Sequence, residues 1–162
     1  MSTAATPVPG DALQQVVDGK LPLNTFFDIG GDQIQAFAAL GYMSYQQGRV
    51  DEAREIFEGL TALDSTQYYG YAGLGAIDLA SNNLAEAETN LRAAAERNPK
   101  DPTVLANLGE TLLRQSKAEE AAGFFKQALE LDPNGQDPGA NRARAILQGM
   151  QLVIEELKKQ AN

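Results

Sequence analysis

Residues 102–134 read PTVLANLGETLLRQSKAEEAAGFFKQALELDPN, and their pattern occurs twice more upstream at a spacing of 34 residues. Gly109 is matched by Gly75 and Gly41, Leu108 by Leu74 and Leu40, and Ala121 by Ala87 and Ala53. A later set runs Leu60, Ala94, Ala128, and an earlier one Phe37, Tyr71, Leu105. No insertion or deletion breaks the register between Ile34 and Gly135. Within each period the apolar residues recur at helical spacing on either side of a polar turn, so each unit is a pair of antiparallel helices.

The period has a physical cause. A helix pair of this size cannot bury its apolar faces alone, and stacking copies buries one continuous core. The small residues mark where neighbouring helices approach most closely, and Ile56, Phe57, Leu91, Phe124 and Phe125 supply the bulk that faces them. Pro99 and Pro133 close the second helices of units two and three, and unit one has Ser65 at that place. A 34-residue helix-turn-helix period with these residues in register is the signature of a tetratricopeptide repeat. The expected fold is therefore all-α: a solenoid of three repeats with an N-terminal helix and a C-terminal capping helix.

Along the chain, residues 1–10 are small and polar with Pro7 and Pro9, and are expected to be a disordered tail. Residues 11–33 hold a short helix capped by Asp11, with Leu13, Val16 and Val17 on one face. An apolar connector follows (Leu21, Leu23, Phe26, Phe27, Ile29), broken by Pro22. A helix of about two turns is marginal alone, so it packs on the array, packs on a second copy or stays free. The repeats occupy 34–67, 68–101 and 102–135. Residues 136–162 form a last helix, Gly139 to Gln160, whose stripe of Ala143, Ile146, Leu147, Met150, Val153, Ile154 and Leu157 suits it to cap the final repeat.

Composition narrows the function. The 162 residues carry a formal charge of −9, so a nucleic-acid partner is not expected, since its phosphates need a basic face. There is no Cys and no His, which removes thiolate chemistry, the usual general base and the commonest metal ligand. No phosphate loop, metal-ligand spacing or acid–base pair is found, so neither an enzyme nor a cofactor is expected. Asp51-Glu52, Glu86 with Glu88, and Glu119-Glu120 open the second helices, where they complement the positive helix end. MSTAATPVPGDALQQ lacks the basic and apolar regions of a secretory signal, and no stretch is apolar for long enough to span a membrane. A cytoplasmic protein without membrane insertion is the expectation.

A function then has to sit on the concave face lined by the first helix of each repeat. The register turns Gln35, Ala38, Tyr42, Tyr45 and Gln46 into it from repeat one. Repeat two contributes Tyr69, Ala72, Ala76, Leu79 and Ala80, and repeat three Thr103, Ala106, Glu110, Leu113 and Arg114. The first two sets hold no charge, which suits an apolar peptide groove; ordinary packing of these helices is the alternative. Tyrosine offers area and a hydrogen bond at low entropic cost, and alanines between tyrosines leave pockets. The positions at which co-chaperones grip a C-terminal carboxylate hold Ala38, Tyr42, Gly73, Thr103 and Asn107. With no cation among them, a two-carboxylate clamp is not expected.

The run from Asp28 to Ala80, DIGGDQIQAFAALGYMSYQQGRVDEAREIFEGLTALDSTQYYGYAGLGAIDLA, resembles the type III secretion chaperones of the LcrH/SycD class. The residues that carry the resemblance are Tyr45, Gly48, Arg49, Glu52, Ala53, Phe57, Leu60, Leu63 and Asp64, followed by Gly73-Leu74-Gly75. The likeness extends over about Leu13 to Met150. It implies a chaperone that holds a short extended segment of an apolar translocator, with spaced Pro and Leu anchors, in the concave groove until export. Carried onto this chain, the peptide contacts are Tyr42, Tyr45, Tyr69, Ala72, Ala76 and Leu79. A homodimer through the N-terminal helix is also implied, with contacts Leu13, Val16, Val17, Phe26 and Phe27. The competing reading is a general tetratricopeptide scaffold or assembly module in a multi-protein complex.

Overall fold

The computed structural model describes residues 12–160, so the expected tail and the Asp11 cap lie outside the described residues. Nine helices and no strand occur among them: α1 Ala12–Val17, α2 Leu23–Phe26, α3 Gly31–Gln46, α4 Val50–Leu63, α5 Tyr69–Ala80, α6 Leu84–Arg97, α7 Pro102–Arg114, α8 Ala118–Leu131 and α9 Pro138–Gln160. The chain forms two compact units that meet within α5, one ending at Leu74 and one beginning at Gly75.

Three recurrent devices set the helix pairs. The first is the turn after the first helix. Gly48, Asn82 and Ser116, spaced by 34, all take left-handed backbone with φ of 77°, 60° and 66°, the conformation that ends a helix and reverses the chain. The second is an Asx cap after the second helix, at Asp64, Asn98 and Asp132, again 34 apart. Asp64 Oδ1 accepts from the Thr66 amide at 2.9 Å, Asn98 Oδ1 from the Lys100 amide at 3.3 Å, and Asp132 from the amides of Gln136 at 3.0 Å and Asp137 at 2.8 Å. Those two amides hold the Asp132 carboxyl below its usual range. The third is glycine facing bulk. A Cβ on Gly75 would lie 2.5 Å from Leu91 Cγ, and one on Gly109 2.6 Å from Phe125 Cε1.

In the first unit, α3 and α4 pack as an antiparallel pair. The fully buried Phe57 of α4 fills the space between them: a Cβ on Gly41 would sit 2.8 Å from its Cζ, and one on Gly73 only 2.4 Å from its ring carbons. The apolar connector after Pro22 winds into the one-turn helix α2 with Pro22 at its N-cap. It is tied to α4 by Asn24 Nδ2, which donates to Asp64 Oδ2 at 2.9 Å. Phe37, Leu40 and Met43 form an exposed row on α3.

In the second unit, α7 is the central helix, packed against α6, α8 and α9. Its start is capped by Asp101, which accepts from the Val104 amide at 3.0 Å with Pro102 in the first turn. The core joins Leu79, Leu91, Leu105, Leu108, Leu112 and Phe125 with Ala143 of α9. Ion pairs also link α6 to the start of α8: Arg92, paired with Glu88 of its own helix, also reaches Glu120, and Lys117 reaches Glu88 at 2.7 Å. The Lys117 ammonium, then the Arg92 guanidinium, hold the Glu88 carboxyl below its usual range. On α9, Gly139, Ala140 and Ala143 are buried, whereas every residue from 151 to 160 is exposed. This helix covers α7 and α8 with its first half only, and its second half carries Leu152, Val153, Ile154 and Leu157 into solvent.

Candidate functional site

The residues at groove register divide between the two units. In the first, α3 carries Tyr42 and Tyr45, and the start of α5 carries Tyr69 and Ala72. All three tyrosines are half-buried, and Ala72 is buried. Tyr42 meets the Phe57 ring edge-on, with centroids 5.0 Å apart at 63°, so the core phenylalanine fixes a groove-register side chain. Tyr69 lies against Tyr68 at 4.2 Å. Among the described residues, titratable groups on α3 are confined to Asp32 in its first turn and the tyrosine hydroxyls. The surface these residues form is uncharged because the sequence puts Ala, Gly, Tyr and Ser where solvent-facing helices usually carry Glu or Lys.

In the second unit, Ala76 is half-buried and Leu79 is 6% exposed and joined to the core. Leu79 therefore offers little area to solvent and serves mainly as core. Asp78, the single charge of α5, is directed at α6. Its buried carboxylate accepts from Asn90 Nδ2 of α6 at 2.9 Å.

The third set of groove positions is polar and more connected than the sequence indicates. Glu110 of α7 pairs with Arg114 at 2.6 Å and with Arg142 of α9 at 3.1 Å. Arg142 Nη2 also donates to Asn107 Oδ1, and Arg114 Nη1 to the Leu79 carbonyl at 3.3 Å. A cation does reach Asn107, but from α9, outside the three repeats. In the sequence, Arg142 lies 34 residues after the buried Leu108 and so continues the repeat register into α9.

For the N-terminal contacts, Val16 is half-buried while Val17 and Phe27 are 73% and 62% exposed. The side chains of Leu13 and Phe26 lie outside the described ones. Elsewhere in the second unit, a cavity of about 220 Å³ opens between α6 and α8, floored by Leu105 and Leu108 and lined by Phe124. It is smaller than the roughly 300 Å³ at which small-molecule sites begin. No group of acidic residues able to hold a metal occurs among the described residues, and no described helix is long and apolar enough to cross a membrane.

Helix pairs in 34-residue register, with glycine against phenylalanine or leucine at each close approach, make a tetratricopeptide repeat fold, and the profile of the tetratricopeptide repeat matches residues 73–136. The chain resembles the LcrH/SycD class of type III secretion translocator chaperones. It is 24% identical over 146 residues to the Low calcium response locus protein H of Yersinia pestis, covering 89% of this chain and 87% of that one. The type III secretion translocator chaperone SycD of Yersinia enterocolitica, in a structure described as an alternative dimer, superposes with a TM-score of 0.68 at 26% identity, over 78% of this chain and 98% of SycD. SycD in complex with a peptide of the translocator YopD superposes with a TM-score of 0.65 at 25% identity, over 76% and 96%.

Proposed function

We propose that this protein is a non-catalytic, cytoplasmic peptide-binding chaperone of type III secretion. It holds an extended, apolar segment of a translocator on the face of its first helices and keeps that partner from assembling before export. The observation that carries this reading is the uncharged, half-buried set Tyr42, Tyr45 and Tyr69 in a chain of net charge −9. Its fold matches a chaperone that has been captured with a translocator peptide. Tyr42, Tyr45, Tyr69 and Ala72 of the first unit and Ala76 and Leu79 of the second are the contact residues in this proposal. An apolar surface gains affinity by shedding water against apolar anchors, and the backbone of an extended peptide is satisfied by tyrosine hydroxyls. The acidic exterior keeps the complex soluble.

A homodimer forms part of the proposal. SycD has been described as a dimer, and Val17 and Phe27 expose apolar area near the N-terminus that a second copy would cover. Val16→Asp with Val17→Asp should halve the mass seen by light scattering, and an unchanged mass would remove α1 from the interface.

Tyr69→Glu tests the groove. Co-expression with affinity capture and mass spectrometry should recover a protein with long apolar segments from the parent and lose it from the variant, while the circular dichroism stays the same. Survival of that capture in the variant sinks the groove assignment. Recovery of a soluble multi-protein assembly instead points to a scaffold module.

A further inference from the structure

The polar cluster on α5, α7 and α9 is left without a role by an apolar groove. Its geometry is particular. Glu110 is mostly buried, its side chain 17% exposed, and it is shared by two arginines whose side chains remain 43% and 47% exposed. Two cations and one carboxylate leave the cluster with one net positive charge, on a chain that is otherwise strongly acidic.

Both guanidiniums are held in place by second partners: Arg114 by the Leu79 carbonyl and Arg142 by Asn107 Oδ1. Each guanidinium has five N–H donors, and these contacts engage only part of each fork, so donors remain toward solvent. A pre-positioned, half-exposed guanidinium is the side chain best matched to a carboxylate, because its planar fork can present two parallel N–H bonds. The cluster also adjoins Leu79, so it borders the stretch of α5 that carries groove register.

We propose that Arg114 and Arg142, oriented by Glu110 and Asn107, form a subsite for an aspartate or glutamate side chain of the bound segment. The inference rests on the peptide-groove reading and specifies the partner's chemistry: apolar anchors with a carboxylate beyond them. A single acidic residue would set the direction in which the segment lies, since apolar anchors alone fit either polarity more evenly. A purely structural role, in which the cluster only clasps α9 to α7, would require no ligand carboxylate at all.

The test uses the full chain and fluorescent peptides bearing spaced Leu and Pro anchors, with Glu walked outward from either end of the anchors and Gln at the same place in a twin. For at least one position the Glu peptide should bind about five- to tenfold tighter than its twin, as expected for charge-assisted hydrogen bonds. The preference should shrink as ionic strength rises. Arg142→Gln and Arg114→Gln should each erode the preference for Glu over Gln and together remove it; Arg142→Lys, which keeps charge without the fork, should keep part of it. Equal binding of every Glu and Gln pair overturns the subsite while leaving the groove standing. Failure of all peptides to bind, with Tyr69→Glu indistinguishable from the parent, overturns the groove and the subsite together.

Discussion

Phe57 is a fully buried ring with a glycine on either side, and the consequences of changing it can be worked out in advance. Its ring lies where a Cβ on Gly41 would come within 2.8 Å and one on Gly73 within 2.4 Å. Phe57→Ala empties that space and should cost about 3–5 kcal/mol, a large share of the roughly 5–15 kcal/mol that holds a domain folded. Gly73→Ala in the parent forces a methyl into the ring, with overpacking worth about 1–3 kcal/mol, partly offset by about 1 kcal/mol of helix propensity. With Phe57 already alanine, the same methyl enters vacated space and only the propensity gain is left. That gain appears in both backgrounds and cancels in a double-mutant cycle, which isolates the overpacking. Urea unfolding of the four proteins, followed by circular dichroism, should give a coupling of about 1–3 kcal/mol. Additivity to within about 0.5 kcal/mol would refute the claim that glycine is present to admit the ring. Because Tyr42 rests on the same ring, Phe57→Ala should also weaken peptide binding under conditions where the protein is still folded.

The left-handed turns differ in strain: Gly48 is at ease at φ 77°, whereas Ser116 carries a side chain at φ 66°. Ser116→Gly should therefore raise the melting temperature, by an amount set by relief of roughly 1–2 kcal/mol less about 0.5–1 kcal/mol of added unfolded-state entropy; a lower melting temperature counts against that account. Glu88 has a folded-state pKa below its ordinary 4.5, so its contribution to stability is full above that value and is lost as pH falls through the depressed one. Glu88→Gln should flatten the acid limb of stability against pH, and an unchanged limb would mean the Lys117 and Arg92 contacts are not populated in solution. Residues 151–160 of α9 are exposed throughout, so truncation after Met150 should change the unfolding free energy by less than about 1 kcal/mol. Ala143→Phe, at a fully buried site, should cost more than that by overpacking.

Residue order alone specifies the helix pairs and their register. Both are local or strictly periodic: Gly41, Gly75 and Gly109 recur with Phe57, Leu91 and Phe125 sixteen residues later, and one repeat is enough to infer the contact in the others. The absence of charge at the groove-register positions of α3 and α5 was legible for the same reason, since groove register follows from position in the repeat. The Asx caps at Asp64, Asn98 and Asp132 and the left-handed Gly48, Asn82 and Ser116 were periodic too, but their meaning lies in backbone angles that residue names do not carry. What tertiary structure decided is where periodicity stops. How much of Tyr69, Ala72 and Leu79 is open depends on side chains from neighbouring helices, and the core takes Leu79. The apolar stripe of α9 is uniform in sequence, yet only its first half finds α7 and α8, because those helices end before it does. Arg142 joins Glu110 and Asn107 across 32 and 35 residues, a contact set by how α9 lies on α7. Contacts made where a repeat array ends have no earlier copy to be read from, and packing alone brings them about.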